Sequence, residues 1–325
     1  MRAVYYDDFG PADQVLTLGE LPEPVAGPGE VLVRIKATGV NPSDVKLRAG
    51  ARPGAVMAYP RVVPHSDGAG VIEAVGTGVD PARMGQRVWV WNASWQRAFG
   101  TAAEFVALPS AQAVPLPDRA SFAEGACLGI PAITGWYSVF CDGPVTGKTV
   151  LVTGGAGAVG RYACQMAALG GARVITTVSS AEKAAHAGVM DWVNYPDANV
   201  AEAVFALTEG AGVDRIVDVD FAANQDTALK VLKPGGVIAS YASASEMTPT
   251  LQFYPFMFRN ITLRMLIVYL LDEATRAAGN AALGRWLEAG ALRHAPVVLD
   301  GLDKVAEAHD LVASGGKLGT VVVTV

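Results

Sequence analysis

Cysteine is scarce in this chain of 325 residues: Cys127, Cys141 and Cys164 are three, an odd number without CxxC spacing. That usage excludes a disulfide framework and a cysteine-rich zinc lobe, and it suits a reducing compartment. Charge is scarce as well. Only 17% of residues are charged against 51% apolar, which excludes a disordered chain and suffices for large cores. The 25 Lys and Arg are outnumbered by 31 Asp and Glu, for a net charge of −6, so no basic face awaits a nucleic acid. Long hydrophobic runs are missing too. The most membrane-like stretch, residues 265–271 between Arg264 and Asp272, is far short of the roughly 20 residues of a span. The opening MRAVYYDDFG has two acids by position 8 and no apolar signal region, so the expected location is cytoplasmic, away from membranes.

At roughly 150 residues per domain the length favours two domains, and two textures alternate along the chain. Up to about residue 125, short β-type runs (31–35, 70–75, 87–91, 101–108) are separated by turn clusters such as EPVAGPGE and GTGVDPARMG. They predict a compact, mostly antiparallel, barrel-like domain. From about 126 the pattern becomes strand–helix alternation, with strands over 150–153, 173–178, 192–195, 215–219 and 237–241. Helices over 158–169, 182–187, 200–207 and 226–232 lie between them. This predicts an α/β fold with a doubly wound parallel sheet covered on both faces. A helix over 273–289 and a final β run over 320–325 follow.

The sharpest local signal is VLVTGGAGAVGRYACQMAALG, residues 150–170. Gly155, Gly157 and Gly160 satisfy GxGxxG directly between a strand and a helix, so Gly155, Ala156, Gly157, Ala158, Val159 and Gly160 are expected to cradle a pyrophosphate. The first glycine suits a tight turn, the second lets backbone approach the anion, and the third lets helix pack on strand. About 20 residues on, where an NAD site places an acid for the ribose 2′-hydroxyl, stand Val178, Ser179 and Ser180, followed by Lys183. Hydroxyls and a lysine suit a 2′-phosphate, which predicts NADPH over NADH. The loop also fits the TGxxGxxG turn of short-chain dehydrogenases. None of the nine tyrosines has lysine at +4, however, and the loop lies mid-chain, so that reading fails.

The chain resembles a medium-chain dehydrogenase/reductase, most closely the quinone oxidoreductase (zeta-crystallin-like) branch, almost end to end. The resemblance rests on PGEVLVRIKATGVNPSDVKLRAG (28–50), PHSDGAGVIEAVGTGV (64–79), LGIPAITG (128–135), VTGGAGAVG (152–160) and VLKPGGVI (231–238). It implies a Rossmann domain over 126–269 and a GroES-like catalytic domain over 1–125 completed by 270–325, with the active cleft between them. It also implies a homodimer in which a strand like 261–266 pairs across a two-fold, with the aromatic segment 251–271 at the pocket or the contact.

Zinc alcohol dehydrogenases hold a catalytic zinc through Cys, His and Cys. The matching positions here resemble Asn41, Ser66 and Ile130, a set that does not form a zinc site, so no metal is expected. His65 stands one position from the ligand place. Without a Lewis acid, oxidation of a simple alcohol loses its support. A quinone or enone, whose incoming charge moves onto a carbonyl oxygen, can still accept hydride if donors meet that oxygen. The resemblance implies Asn41 for this role. Lys46 stands where many relatives have tyrosine and offers a cationic donor, Tyr59 is an aromatic candidate for the cleft, and Thr134 matches the threonine beside the nicotinamide. Tyr195 joins Ser179 and Lys183 around the adenosine phosphate. The backbone at Tyr241 lines the nicotinamide, and Lys317 in GGKLG substitutes for the family's C-terminal arginine. Asp67, Glu73 and Asp218 are expected to be structural, with water supplying the product proton. The expected activity is an NADPH-dependent, zinc-independent reductase of quinones or α,β-unsaturated carbonyls. An enoyl-thioester reductase and a non-catalytic NADPH-binding protein are the alternatives.

Overall fold

In the computed structural model, which describes residues 1–51 and 54–325, contacts divide the chain into two units. One is Ala132–Glu273; the other joins Met1–Pro131 to Ala274–Val325. The first division comes later than residue 126 because the Ile130 amide N–H donates to the Asp67 carboxylate at 2.9 Å, which holds that turn in the first unit.

The Ala132–Glu273 unit is built on six parallel strands: β1 (Thr149–Thr153), β2 (Arg173–Val178), β3 (Asp191–Asn194), β4 (Val213–Asp218), β5 (Leu232–Ser240) and β6 (Thr262–Met265). Their spatial order is β3-β2-β1-β4-β5-β6. Period-two geometry sends alternate apolar residues to opposite faces. Leu151, Ile175, Ile216 and Ile238 pack on one side with Val204, Phe221 and Phe256. Val150, Val152 and Val217 pack on the other with Val139, Ala163, Cys164 and Ala167. Helix α1 (Ala158–Leu169) follows β1, and helix α2 (Ala181–Ala187) follows β2. The strand order reverses between β1 and β4, and in sheets of this kind ligands bind beyond the carboxyl ends at that point. β5 starts before residue 237 and takes in the Lys233–Gly236 segment, because its Leu232 already pairs with Val213 across an irregular register.

In the other unit the strand Glu30–Val40 is central. Its first half pairs with Phe105–Pro109 and its second half with Thr320–Thr324, while Asp67–Val75 runs along its other side, all antiparallel. A register irregularity between Ile35 and Ala37 falls where the partner changes, as a bulge that bends the strand would. Val33, Ile35, Ile72, Val88 and Leu108 form one core. Val40, Val63, Val305, Ala308 and Val321 form another under the helix Val305–Ala313. The strand over Asp67–Val75 is longer than the 70–75 run because Gly39 and Thr38 pair with Asp67 and Gly68. A Cβ on Gly39 would stand 2.2 Å from the Ala126 carbonyl oxygen, so this close approach requires glycine. Among the described residues no helix is long and apolar enough to cross a membrane.

Candidate functional site

At the carboxyl end of β1 the chain turns sharply through Gly154, whose φ is +68°, a left-handed conformation that favours glycine. The tight turn therefore falls on Gly154 rather than on Gly155. Gly155 is required for a different reason: a Cβ there would lie 2.0 Å from Thr176 Oγ1 on β2. Gly160 is pressed against the turn itself, with a Cβ reaching 2.3 Å from the Gly154 oxygen. Gly157 is the open one. A Cβ there would meet only the Gly154 oxygen, at 3.3 Å, so its outer surface is free for backbone-distance approach. Gly157 is the N-cap of α1, and the first helical bond runs from Arg161 N to Gly157 O. The N–H groups of Ala158, Val159 and Gly160 precede that bond and point out of the helix end, where an anion is favoured.

At the ends of β2 and β3 the polar residues converge. Ser180 caps α2 by accepting from Lys183 N at 3.2 Å, and the Lys183 ammonium donates to Ser179 Oγ at 2.8 Å. Tyr195, 53% exposed, is tied beside them by its N–H to the Val178 carbonyl at 3.1 Å. The structure thus gathers Ser179, Lys183 and Tyr195 at one edge, with no carboxylate in the 178–180 segment. Asp218 at the end of β4 is consumed internally. It accepts from Thr153 Oγ1, Asn224 Nδ2 and Ser240 Oγ, and burial pushes its carboxyl up. The ring of Tyr241 packs into the core beside Val139 and Cys164, so only its backbone is offered to a ligand. Thr134 is buried on the helix Ile133–Phe140. Lys317 belongs to the other unit, where its ammonium donates to the Gly319 carbonyl at 3.0 Å.

In that other unit Asn41 ends the central strand and is the N-cap of the helix Pro42–Arg48, with Pro42 well placed at its first position. It is buried and held at two points. Its backbone N–H donates to Asp44 Oδ2 at 2.8 Å, and its amide Nδ2 donates to Asp67 Oδ2 at 2.9 Å. Burial dominates both carboxyls, raising Asp44 to about 7 and Asp67 to about 8. The other two positions that resemble zinc-ligand places offer no ligand: Ser66 Oγ bonds Ser94 Oγ at 2.8 Å, and Ile130 is aliphatic. Among the described residues no three His, Cys, Asp or Glu side chains stand together so as to hold a metal ion. Lys46 lies on the exposed face of its helix, away from the buried side of Asp44 and Arg48. Tyr59 donates its hydroxyl to the Gln96 carbonyl at 2.6 Å.

Sequence reasoning missed the chemistry around Asn41. Asp67 was legible as an acid in PHSDGAG but not as the partner of the amide. The contact of His65 Nε2 with His309 Nε2 at 2.9 Å joins residues 244 apart in the chain, and no local pattern signals it.

Family models match both parts of the chain: an alcohol dehydrogenase GroES-like domain over residues 27–118, and a zinc-binding dehydrogenase domain over 158–282. Mouse quinone oxidoreductase is 30% identical over 340 aligned positions, which cover 99% of this chain and 97% of that protein. A mycobacterial protein crystallised with NADPH superposes with a TM-score of 0.87 at 30% identity, and an NAD-dependent alcohol dehydrogenase with 0.89 at 31%, each covering 100% of both chains.

Proposed function

This chain belongs to the medium-chain dehydrogenase/reductase superfamily, among its quinone oxidoreductase-like members, and from that premise we propose that it uses NADPH to reduce quinones or α,β-unsaturated carbonyls without zinc. The observation that carries the reading is the identity and engagement of Asn41. An amide bound to a carboxylate stands where the zinc enzymes have a thiolate, and Ser66 and Ile130 fill the other ligand places.

The donor set fits a 2′-phosphorylated dinucleotide. Gly157 leaves room at the end of α1 that a Cβ would fill, and Lys183 with Ser179 offers a cation and a hydroxyl where an acid would repel phosphate. When bound, the cofactor supplies a hydride from C4 of its nicotinamide. Asn41 Nδ2 donates to Asp67, and the Asn41 side chain also meets the Asp44 carboxyl. Of the two hydrogens on that nitrogen, the one turned from Asp67 is the donor for the carbonyl oxygen on which charge collects as an enone or quinone is reduced, an electrostatic role that needs no metal. Water then provides the proton that completes the two-electron reduction. The protein works as a homodimer, with support from exposed Met265 at the end of edge strand β6 and from the exposed aromatics of the preceding helix Phe253–Phe258.

The test is steady-state consumption of NADPH and NADH with a quinone, an enone, an enoyl thioester and, in reverse, an alcohol with NADP. Turnover with the quinone or free enone, NADPH preferred, is expected. Selective turnover of the thioester or of the alcohol would replace this reading.

A further inference from the structure

We infer that Asp67 is the positioning residue for Asn41, and that a one-way hydrogen-bond chain from His309 through His65, Thr38 and Thr101 holds Asp67 in place for it. The inference rests on the reading of Asn41 as the donor to the acceptor oxygen.

An asparagine amide has its two N–H bonds fixed in one plane, so tying one down sets the direction of the other. Asp67 Oδ2 receives Asn41 Nδ2 and Ile130 N, both at 2.9 Å. The Ile130 backbone N–H can only donate, so Oδ2 is an accepting oxygen whether or not the carboxyl carries a proton on Oδ1, and the amide is turned with its NH2 towards it. Gly129 then locks the carboxylate from behind: a Cβ there would stand 2.1 Å from Asp67 Oδ1. That oxygen is buried without a hydrogen-bond partner, so the whole hold is concentrated on Oδ2.

The backbone of Asp67 is fixed by a chain whose direction can be worked out. Thr101 Oγ1 donates to the Asp67 carbonyl at 2.6 Å. With its hydrogen used, Thr101 must accept in its 2.7 Å contact with Thr38 Oγ1. Thr38 has then spent its own hydrogen, so across the 2.9 Å contact His65 Nδ1 is the donor. His65 Nε2 is left as an acceptor, and His309 Nε2–H donates to it. The bare Nδ1 of His309 faces no partner; the reverse direction would bury an N–H there instead, the costlier orphan. Both imidazoles stay neutral, as burial requires: His65 is held well below the ordinary range and His309 at about 3. The chain thus carries the helix Val305–Ala313 into the support of a residue that touches Asn41.

The groups facing Asp67 are Asp44 from the helix Pro42–Arg48, which raises its carboxyl, Arg276 from the helix Glu273–Ala289, which lowers it, and the Cys127 thiol, itself pushed up to about 12. With the carboxyl at about 8, Asp67 is mostly neutral at pH 7. It ionises as pH rises through 8 and becomes the stronger acceptor for the amide.

The experiment compares wild type, Asp67→Ala and Asp67→Asn with NADPH and an enone between pH 6 and 9.5. Selective ¹⁵N-asparagine labelling adds a readout on the free protein. Asp67→Ala is expected to lower kcat about tenfold or more while the NADPH Kd stays within about twofold. Asp67→Asn, whose amide oxygen still accepts both N–H groups, is expected to recover most of that loss but to lack the rise of kcat across about pH 8. The Asn41 side-chain amide resonance should shift through the same pH in wild type and not in Asp67→Asn. An unchanged kcat in Asp67→Ala, or a wild-type pH rise retained in Asp67→Asn, overturns the inference. If Asp67→Ala does not fold, the Asn variant's pH profile and amide resonance decide. A wild type that reduces neither quinone nor enone overturns the parent reading instead.

Discussion

At the scale of single residues, the proposed function divides the work by charge and shape between Lys183 and Asn41. Lys183 sits on the first turn of α2 with its ammonium on Ser179 Oγ, and its value for a 2′-phosphate is that of a positive charge next to two formal negatives. Lys183→Asp reverses that sign, so the Kd for NADPH should rise at least about tenfold, and that for NADH far less, in fluorescence titrations. Equal losses for both nucleotides would remove Lys183 from the phosphate site. The position of Asn41 after the strand, before Pro42, was legible from TGVNPSD. What holds Asn41 was not: its partners Asp44, Asp67 and Ile130 come from three segments, and only folding shows which oxygen meets which N–H. Lys46 and Tyr59 were singled out beside it; one lies exposed on its helix and the other gives its hydroxyl to a loop carbonyl.

At the scale of elements, the βα units were readable because each is local. A buried parallel strand is a short apolar run, and the glycine turn announces the helix after it. Even there, the positive φ lies at Gly154, one residue before the motif's first glycine, and its N–H is tied to Thr177 Oγ1 on β2. Edge strand β6 shows a different physics. It pairs with β5 on one side only, its Met265 is 70% exposed, and Phe253, Tyr254 and Phe258 are exposed just before it. An unprotected edge with apolar side chains is a template for another strand. The homodimer proposed above covers it by pairing β6 with its own copy. Met265→Glu together with Phe258→Glu should then convert a dimer to a monomer in sedimentation velocity, with the ellipticity of each chain unchanged. A wild type that sediments as a monomer at tens of micromolar would discard the pairing.

For the whole molecule, the two units differ in how their chain is laid out, and that decides how much a linear reading could find. The nucleotide unit is one continuous stretch, so its strand order follows from alternation and right-handed crossovers. The other unit closes its sheet with residues from both ends of the chain. Thr320–Thr324 pairs with Ala37–Val40, and His309 meets His65, contacts that carry no periodic signature. In the proposed function an oriented amide on Asn41 stands in for the metal of the zinc enzymes. The most direct measurement is the rate of NADPH oxidation with a quinone or enone acceptor, before and after exhaustive chelation, for wild type and Asn41→Ala. The account predicts an unchanged wild-type rate after chelation and a loss of about tenfold to a hundredfold in kcat for Asn41→Ala, with NADPH affinity preserved. A wild-type rate abolished by chelation and restored by zinc would contradict it.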